Sequence, residues 1–211
     1  MTIETTSLAR PEIVPGDRIF LSHPLREDVP LLARWFADLE LTAYIGRAGH
    51  AYTYADEEAW VSGLGQSPDT RHFAIMVRET GQPIGSVSLM RLNHQNGTAE
   101  LGIAIGDKAA WGKGYGTEAV RLMCDYGFTF YSLHAIHLWH TGFNERGHRA
   151  YLKAGFKEAG RLRSARLFDG QRYDDVLMDI TREDFGPTTL VRLIGQLRHE
   201  AHEGYEGRTE E

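Results

Sequence analysis

Three glycines alternate with larger residues in Trp111-Gly-Lys-Gly-Tyr-Gly-Thr-Glu-Ala119. The segment follows the apolar run Leu101-Gly-Ile-Ala-Ile105 and leads into a helical pattern carrying Val120, Leu122, Met123 and Tyr126. A glycine turn between a strand and a helix leaves backbone N–H groups uncovered beside the positive end of a helix dipole. That arrangement suits a phosphate or pyrophosphate. Two better-known phosphate loops do not fit. Lys113 stands between the glycines, so the segment is not G-x-x-x-x-G-K-[ST], and the alternate spacing is not G-x-G-x-x-G. The plainer alternative is a turn whose glycines only supply positive φ.

A second constellation is Phe143-Asn-Glu-Arg-Gly-His-Arg-Ala-Tyr-Leu-Lys-Ala-Gly-Phe156. Asn144 has the chemistry of an N-cap, Glu145 suits the first turn, and Gly155 suits the position just past the helix end. Asn144 and Tyr151 are seven residues apart, about two helical turns, so they fall near one stripe. Read for structure alone, they are a cap and a packing residue. In Thr98–Ile105, strand alternation puts Ala99, Leu101, Ile103 and Ile105 on one face and Glu100, Gly102 and Ala104 on the other. A carboxylate flanked by small residues leaves room for a ligand, which makes Glu100 a candidate general base. The alternative is an ion pair across the hairpin, with Arg91 as partner.

The elements that must position these groups follow from pattern. Residues 1–12 read as a polar tail. A first strand is expected at 18–22, a helix at 28–37 with Pro30 in its first turn, and a second helix at 55–64. An antiparallel pair at 72–78 and 84–92 follows, then Asn96-Gly97 as a hairpin signal leading into 98–105. A helix at 117–132, a strand at 136–141 and a helix at 145–154 come next. Two last strands, 158–168 and 171–180, meet at Asp169-Gly170. Beyond Pro187, the residues Leu190, Val191, Leu193, Ile194 and Leu197 mark an amphipathic helix. It either packs on its own domain or makes a homodimer contact.

An apolar strand, G-K-G-Y-G-T-E-A, a helix, a strand, then N-x-R-x-x-x-A-Y-x-K-x-G-F: in this order the motifs resemble the GNAT superfamily of acyl-CoA-dependent N-acetyltransferases. Within it they resemble the RimJ/RimL branch of ribosomal-protein acetyltransferases. The likeness spans roughly residues 13–181, with its motifs concentrated in 98–156. Trp111 departs from the Gln or Arg usual in the superfamily, but an aromatic there suits this branch. Gly147 departs too, where Ala or Ser is commoner, and weakens the helix start.

The resemblance implies an α/β, single-domain GNAT fold. Its twisted, mixed, mostly antiparallel sheet would have about seven strands, flanked by helices. It implies acetyl-CoA in a cleft where two strands splay, with the pyrophosphate on the amides of Gly112, Lys113, Gly114, Tyr115, Gly116 and Thr117. Pantetheine would run along Leu101, Ile103 and Ile105, and Asn144 would anchor it. Tyr151 would protonate the departing sulfur, and N–H groups at a strand bulge would polarise the thioester. The acceptor is a primary amine, on a small molecule or a protein N-terminus. Its pocket falls to the first two helices, the loop at 41–54 and the last hairpin. Tyr44, Arg47, His50, Tyr52 and Tyr54 crowd that loop, and Arg166, Tyr173, Asp174 and Asp175 lie on the hairpin. Tyr44, Arg47, Tyr52 and Tyr173 are the candidate contacts, since an aromatic and acidic pocket suits a cationic amine. A different donor such as succinyl-CoA, and a non-catalytic acyl-CoA-binding module, are the alternatives.

Composition narrows the rest. At 211 residues, 42% apolar and 25% charged, the chain reads as one soluble domain with tails. A net charge of −6 argues against a nucleic-acid binder. No apolar run approaches membrane-spanning length, and the first residues lack the basic and apolar regions of a signal peptide. One cysteine, Cys124, permits no internal disulfide, in keeping with a reducing cytoplasm. His134, His137 and His140 recur every third residue, which does not share a strand face, so no metal site is assigned.

Overall fold

The computed structural model describes residues 10–50, 52–187 and 190. Along the chain run β1 (Val14–Pro15), β2 (Ile19–Ser22), α1 (Val29–Phe36), α2 (Leu39–Tyr44), α3 (Tyr54–Gly63), β3 (Arg71–Val77), β4 (Pro83–Asn93) and β5 (Thr98–Ile105). Then come α4 (Tyr115–Phe130), β6 (Ala135–Thr141), α5 (Glu145–Ala154), β7 (Lys157–Phe168), β8 (Gln171–Thr181) and α6 (Arg182–Phe185). The strands form one eight-stranded sheet in the order β1-β2-β3-β4-β5-β6-β8-β7. The expected architecture is present, and the strand beyond the expected seven is the two-residue β1.

One feature of the sheet makes the site. All neighbours are antiparallel except β5 and β6, which pair in parallel only over Thr98–Glu100 and Ala135–His137. β4 holds β5 from Glu100 through to Ile105, while β8 holds β6 along its whole length. Past Glu100 each strand follows its other neighbour, and a V-shaped gap opens between them. The edge of β5 facing that gap keeps backbone N–H and C=O groups with no strand partner. The expected bulge is not what frees them: β4–β5 register is regular from Gly85–Ile105 to Met90–Glu100 and shifts only between Met90 and Asn93. Divergence of the strands, and not a bulge, leaves these groups without a strand partner.

Alternation along β3 shows how the sheet is covered. Phe73, Ile75 and Val77 enter the main core with Val120, Met123, Cys124 and Phe128 of α4, while Ala74 and Met76 face the other way. A separate cluster of Val29, Leu32 and Val61 joins α1 to α3. Both hairpin signals hold: Gly97 has φ 63°, and Asp169 and Gly170 have φ 47° and 68°, as tight turns between right-twisted strands require. Within the stretch read as a loop from residue 41, the structure has α2. Asp38 caps it, accepting from the amides of Glu40 and Leu41 at 2.9 and 3.2 Å. Six residues are too few to show a helical period.

The packed body extends past both expected ends. Arg10 is clamped to Asp28 by two 2.8 Å bonds. Phe185 and Leu190 belong to the main core. The rest of the amphipathic helix after Pro187, and the homodimer contact assigned to it, lie outside the described residues. Among the described residues no helix is long and apolar enough to cross a membrane.

Candidate functional site

The glycines of the loop stand there for two different reasons. Gly112 and Gly114 have φ 75° and 84°, a conformation that costs other residues about 1–2 kcal/mol. Gly116 has no such need: it lies in the first turn of α4, and an added Cβ would meet only Ile105 Cγ1, at 3.7 Å. Neither backbone nor packing asks for glycine there. What the missing Cβ keeps open is the approach to the start of α4, whose cap, Gly114, offers no side chain to its amides.

A cavity of about 300 Å³ lies over this loop. Gly112, Gly114, Gly116 and Thr117 form one wall, and Arg146, Arg149 and Lys153 of α5 bring cationic side chains to it. Uncapped amides, a helix N-terminus and three cations fit a pyrophosphate. Lys113 and Tyr115 do not line the cavity. Lys113 instead lends its carbonyl to Arg18 Nη1 at 2.8 Å, and Tyr115 lies beneath the Arg18 guanidinium, 5.2 Å from the ring centre. Alternation turns these two side chains away while their glycine neighbours face the cavity.

Trp111 fixes the far end of the loop. Its indole N–H donates to the Ile105 carbonyl at 2.7 Å. The Arg146 guanidinium lies 3.4 Å from its ring centre and 4.7 Å from that of Tyr44. Arg146 is the residue that reading the sequence missed. Two aromatic rings hold it across the cleft, and burial lowers its pKa. The only signal was an arginine two residues past Asn144 in a chain with Trp111 and Tyr44 elsewhere.

A second cavity, of about 430 Å³, opens on the other side of the V. Tyr44, Ile45, Ile103, Ala104, Asn144 and Tyr151 line both cavities and mark where they meet. Asn144 and Tyr151 are each 8% exposed. Asn144 caps α5, accepting from the Gly147 amide at 2.9 Å, and its Nδ2 donates to the Tyr44 carbonyl at 3.2 Å. Gly147 makes this possible: a Cβ there would stand 2.6–2.9 Å from the Asn144 side-chain atoms. The departure at 147 leaves room for the cap. Burial pushes the Tyr151 hydroxyl up to about 12, against a smaller downward pull from Arg146. Tyr151 therefore holds its proton at neutral pH.

The second cavity joins aromatic and acidic groups: Phe36, Tyr52, Trp60 and Trp139 with Asp56, Glu57 and Glu100. Glu100 lines it beside Gly102 and Ala104, as alternation requires, and also accepts from Arg91 Nη1 at 2.7 Å. The ion-pair reading is realised, on a carboxylate that also faces the cavity. Leu101 lines this cavity rather than the first, whereas Ile103 touches both and Ile105 only the first. Arg47 donates to Tyr52 Oη at 2.7 Å, and both line the wall. Arg166 also lines it, held by two bonds to Asp175 at 3.0 and 2.8 Å.

Tyr173, expected here, does not line the cavity. It packs edge-on to Phe143 with ring centres 5.0 Å apart and donates to Gln171 at 3.0 Å. The expectation failed because placement in the hairpin does not fix which way a side chain leans once an aromatic cluster is at hand. His140 bonds the Thr141 carbonyl and His148 at 2.9 and 3.0 Å. Among the described residues, no three His, Cys, Asp or Glu are grouped to hold a metal. Cys124 is fully buried, which pushes its thiol up.

The Acetyltransferase (GNAT) domain family matches residues 18–157. An uncharacterized N-acetyltransferase, p20 of Bacillus licheniformis, is 26% identical over 176 residues, covering 82% of this chain and 98% of that protein. The spermidine N(1)-acetyltransferase of Escherichia coli is 33% identical over 105 residues, 50% of this chain and 56% of that protein. Among solved structures, Vibrio cholerae spermidine N-acetyltransferase in complex with CoA and spermine superposes with a TM-score of 0.72. It is 23% identical, over 81% of this chain and 99% of that one, and so speaks for the fold. A splayed β5–β6 pair, a glycine loop opening α4 and a family match over most of the body agree: the chain belongs to the GNAT acetyltransferases, enzymes that transfer an acyl group from coenzyme A to nitrogen.

Proposed function

We propose that this enzyme moves an acetyl group from acetyl-CoA to the primary amine of a small cationic acceptor. The observation that carries the reading is the meeting of two unlike cavities at Tyr151. One has uncapped amides and three cationic side chains; the other has aromatic rings and three carboxylates, with its two arginines, Arg47 and Arg166, bonded to Tyr52 and Asp175. Each matches one substrate in charge. The diphosphate sits on the amides from Gly112 to Thr117, and the pantetheine arm follows the free edge of β5 past Ile103 and Asn144. The acceptor enters between α3 and the β7–β8 hairpin, against Tyr44, Arg47 and Tyr52. Aromatic Trp111 keeps the RimJ/RimL-like assignment, and the lone buried Cys124 suits a reducing cytoplasm.

The chemistry balances as follows. The amine nitrogen, neutral when it attacks, forms a bond to the thioester carbon. The carbon–sulfur bond then breaks, and the proton shed by nitrogen is matched by one gained at sulfur. Free N–H groups of the β5 edge face the carbonyl oxygen as charge develops there. Tyr151 donates toward sulfur. Glu100 takes the proton from nitrogen, directly or through water, with Arg91 holding its carboxylate in place. A thiol-release assay with acetyl-CoA, succinyl-CoA and a panel of amines tests this. Turnover with acetyl-CoA and cationic amines is the expected result; CoA binding without thiol release from any amine would leave only a binding module.

A further inference from the structure

Among the described carboxylates that line the acceptor cavity, Glu57 is the one whose side chain has no hydrogen bond or ion pair. It lies in the first turn of α3, is 5% exposed, and lines the cavity with Tyr52, Trp60 and His72. No described side chain bonds to it. Its neighbours are committed elsewhere. Asp56 completes the cap of α3, accepting from Thr53 N and Oγ1 at 2.8 and 2.7 Å. Arg47 donates to Tyr52, and Arg166 is clamped by Asp175. Glu100 already has Arg91. Burial, with Asp56 close by, raises the Glu57 pKa, and Arg47 lowers it only in part. A buried carboxylate without a partner is costly to keep. On the buried face of α3 it occupies a place like that of Val61 one turn on, where an apolar residue would pack without that cost.

We propose that Glu57 anchors a second, non-reacting ammonium of the acceptor, so that the preferred substrate is a diamine or polyamine. This rests on the transfer reading above and adds the substrate class. The reacting nitrogen cannot be Glu57's partner. In the transfer reading the attacking nitrogen passes its proton to Glu100 and has to lie where the two cavities meet. Glu57 also lines only the acceptor cavity, away from the residues shared by both cavities at Tyr151. The anchored cation therefore sits apart from the reacting amine, and the chain between them lies along Tyr52 and Trp60, whose ring faces favour cationic groups.

Calorimetry in the presence of CoA, with spermidine and n-butylamine as probes, tests this without requiring turnover. Wild-type protein is expected to bind spermidine at least tenfold more tightly than butylamine. Glu57→Gln should erase that preference and change butylamine affinity less than twofold, while Glu57→Asp keeps part of it. Equal losses for both amines, or an unchanged preference in Glu57→Gln, would overturn the anchor. The two readings separate in one experiment. Glu57-dependent spermidine binding without acetyl transfer would sink the transfer reading alone, and amine turnover indifferent to Glu57 would sink the anchor alone.

Discussion

Gly116→Ala sets folding against binding in a way few other readings of the glycine loop allow. The residue lies in the first turn of α4 without a positive φ, and the new methyl would sit 3.7 Å from Ile105 Cγ1, an ordinary contact. Alanine is preferred to glycine in a helix interior by about 0.8–1.0 kcal/mol, which is an upper bound at a first turn. For a domain of this size that corresponds to a rise of up to about 2–4 °C in Tm. The same methyl stands over the uncapped amides and holds a diphosphate off them. Loss of one charged hydrogen bond is worth about 1.5–3 kcal/mol, or a roughly 10- to 150-fold weaker Kd for CoA. Gly114→Ala is the contrast: at φ 84° it forces the left-handed strain, costing about 1–2 kcal/mol of stability. Thermal unfolding without ligand and calorimetry with CoA give both numbers for each variant. Gly116→Ala should be at least as stable as wild type and bind CoA poorly. If it bound CoA within twofold of wild type, the amides of this loop would not be the diphosphate site.

Three other outcomes can be checked directly. Tyr151→Phe should lower kcat by about 10²- to 10⁴-fold, the range for a lost general acid, with CoA affinity nearly unchanged; an unaltered kcat would remove Tyr151 from the chemistry. Arg10→Ala strands Asp28, whose side chain is 5% exposed, and breaking a buried pair costs about 3–5 kcal/mol. Its Tm should fall by about 6–20 °C, and a shift under 3 °C would mean the segment before β1 is not part of the folded body. Burial, with smaller help from His148 and Arg161, lowers the pKa of His140 from its ordinary 6.5. Its contribution is then whole above that value and declines as pH falls toward the folded pKa. Urea midpoints of His140→Gln should depend less on pH between 5.5 and 7.5 than wild type, though His72, lowered by burial as well, leaves part of the slope. Identical slopes would refute the assignment.

What was legible in the sequence was what local chemistry decides. α5 spans Glu145–Ala154, as Asn144 and Gly155 require of a cap and a left-handed end. β5 spans Thr98–Ile105, because alternation and the Asn96-Gly97 turn fix its limits. Groups assembled by tertiary packing were not legible. The stacking of Arg146 on Trp111 joins residues on different elements across the cleft. Tyr173 and Tyr52 look equally suitable in composition, yet one packs on Phe143 and the other faces the cavity. Glu57 reads as an ordinary acidic first-turn residue, although the α3 face carrying Val61 turns it inward. A carboxylate three and four residues ahead of Trp60 and Val61 was the available clue. Such a residue occupies an apolar position on a helix.

Proton accounting joins these residues into one device. Transfer to an amine asks the protein to keep one proton near sulfur and remove another from nitrogen, within a single cleft. Burial accomplishes the first, holding the Tyr151 hydroxyl at about 12. The second needs an acceptor beside the attacking nitrogen. In the proposed mechanism Glu100 fills that role, and its position at the last paired rung of β5 and β6 puts Arg91 at 2.7 Å and His137 at 3.9 Å from its carboxylate. Glu57, buried without such partners, cannot share the task on equal terms. Its carboxylate is best stabilised by a cation brought in with the acceptor. Under the proposed mechanism the three groups thus divide by environment: a shielded phenol that donates, a supported carboxylate that accepts, and an unsupported one that waits for charge.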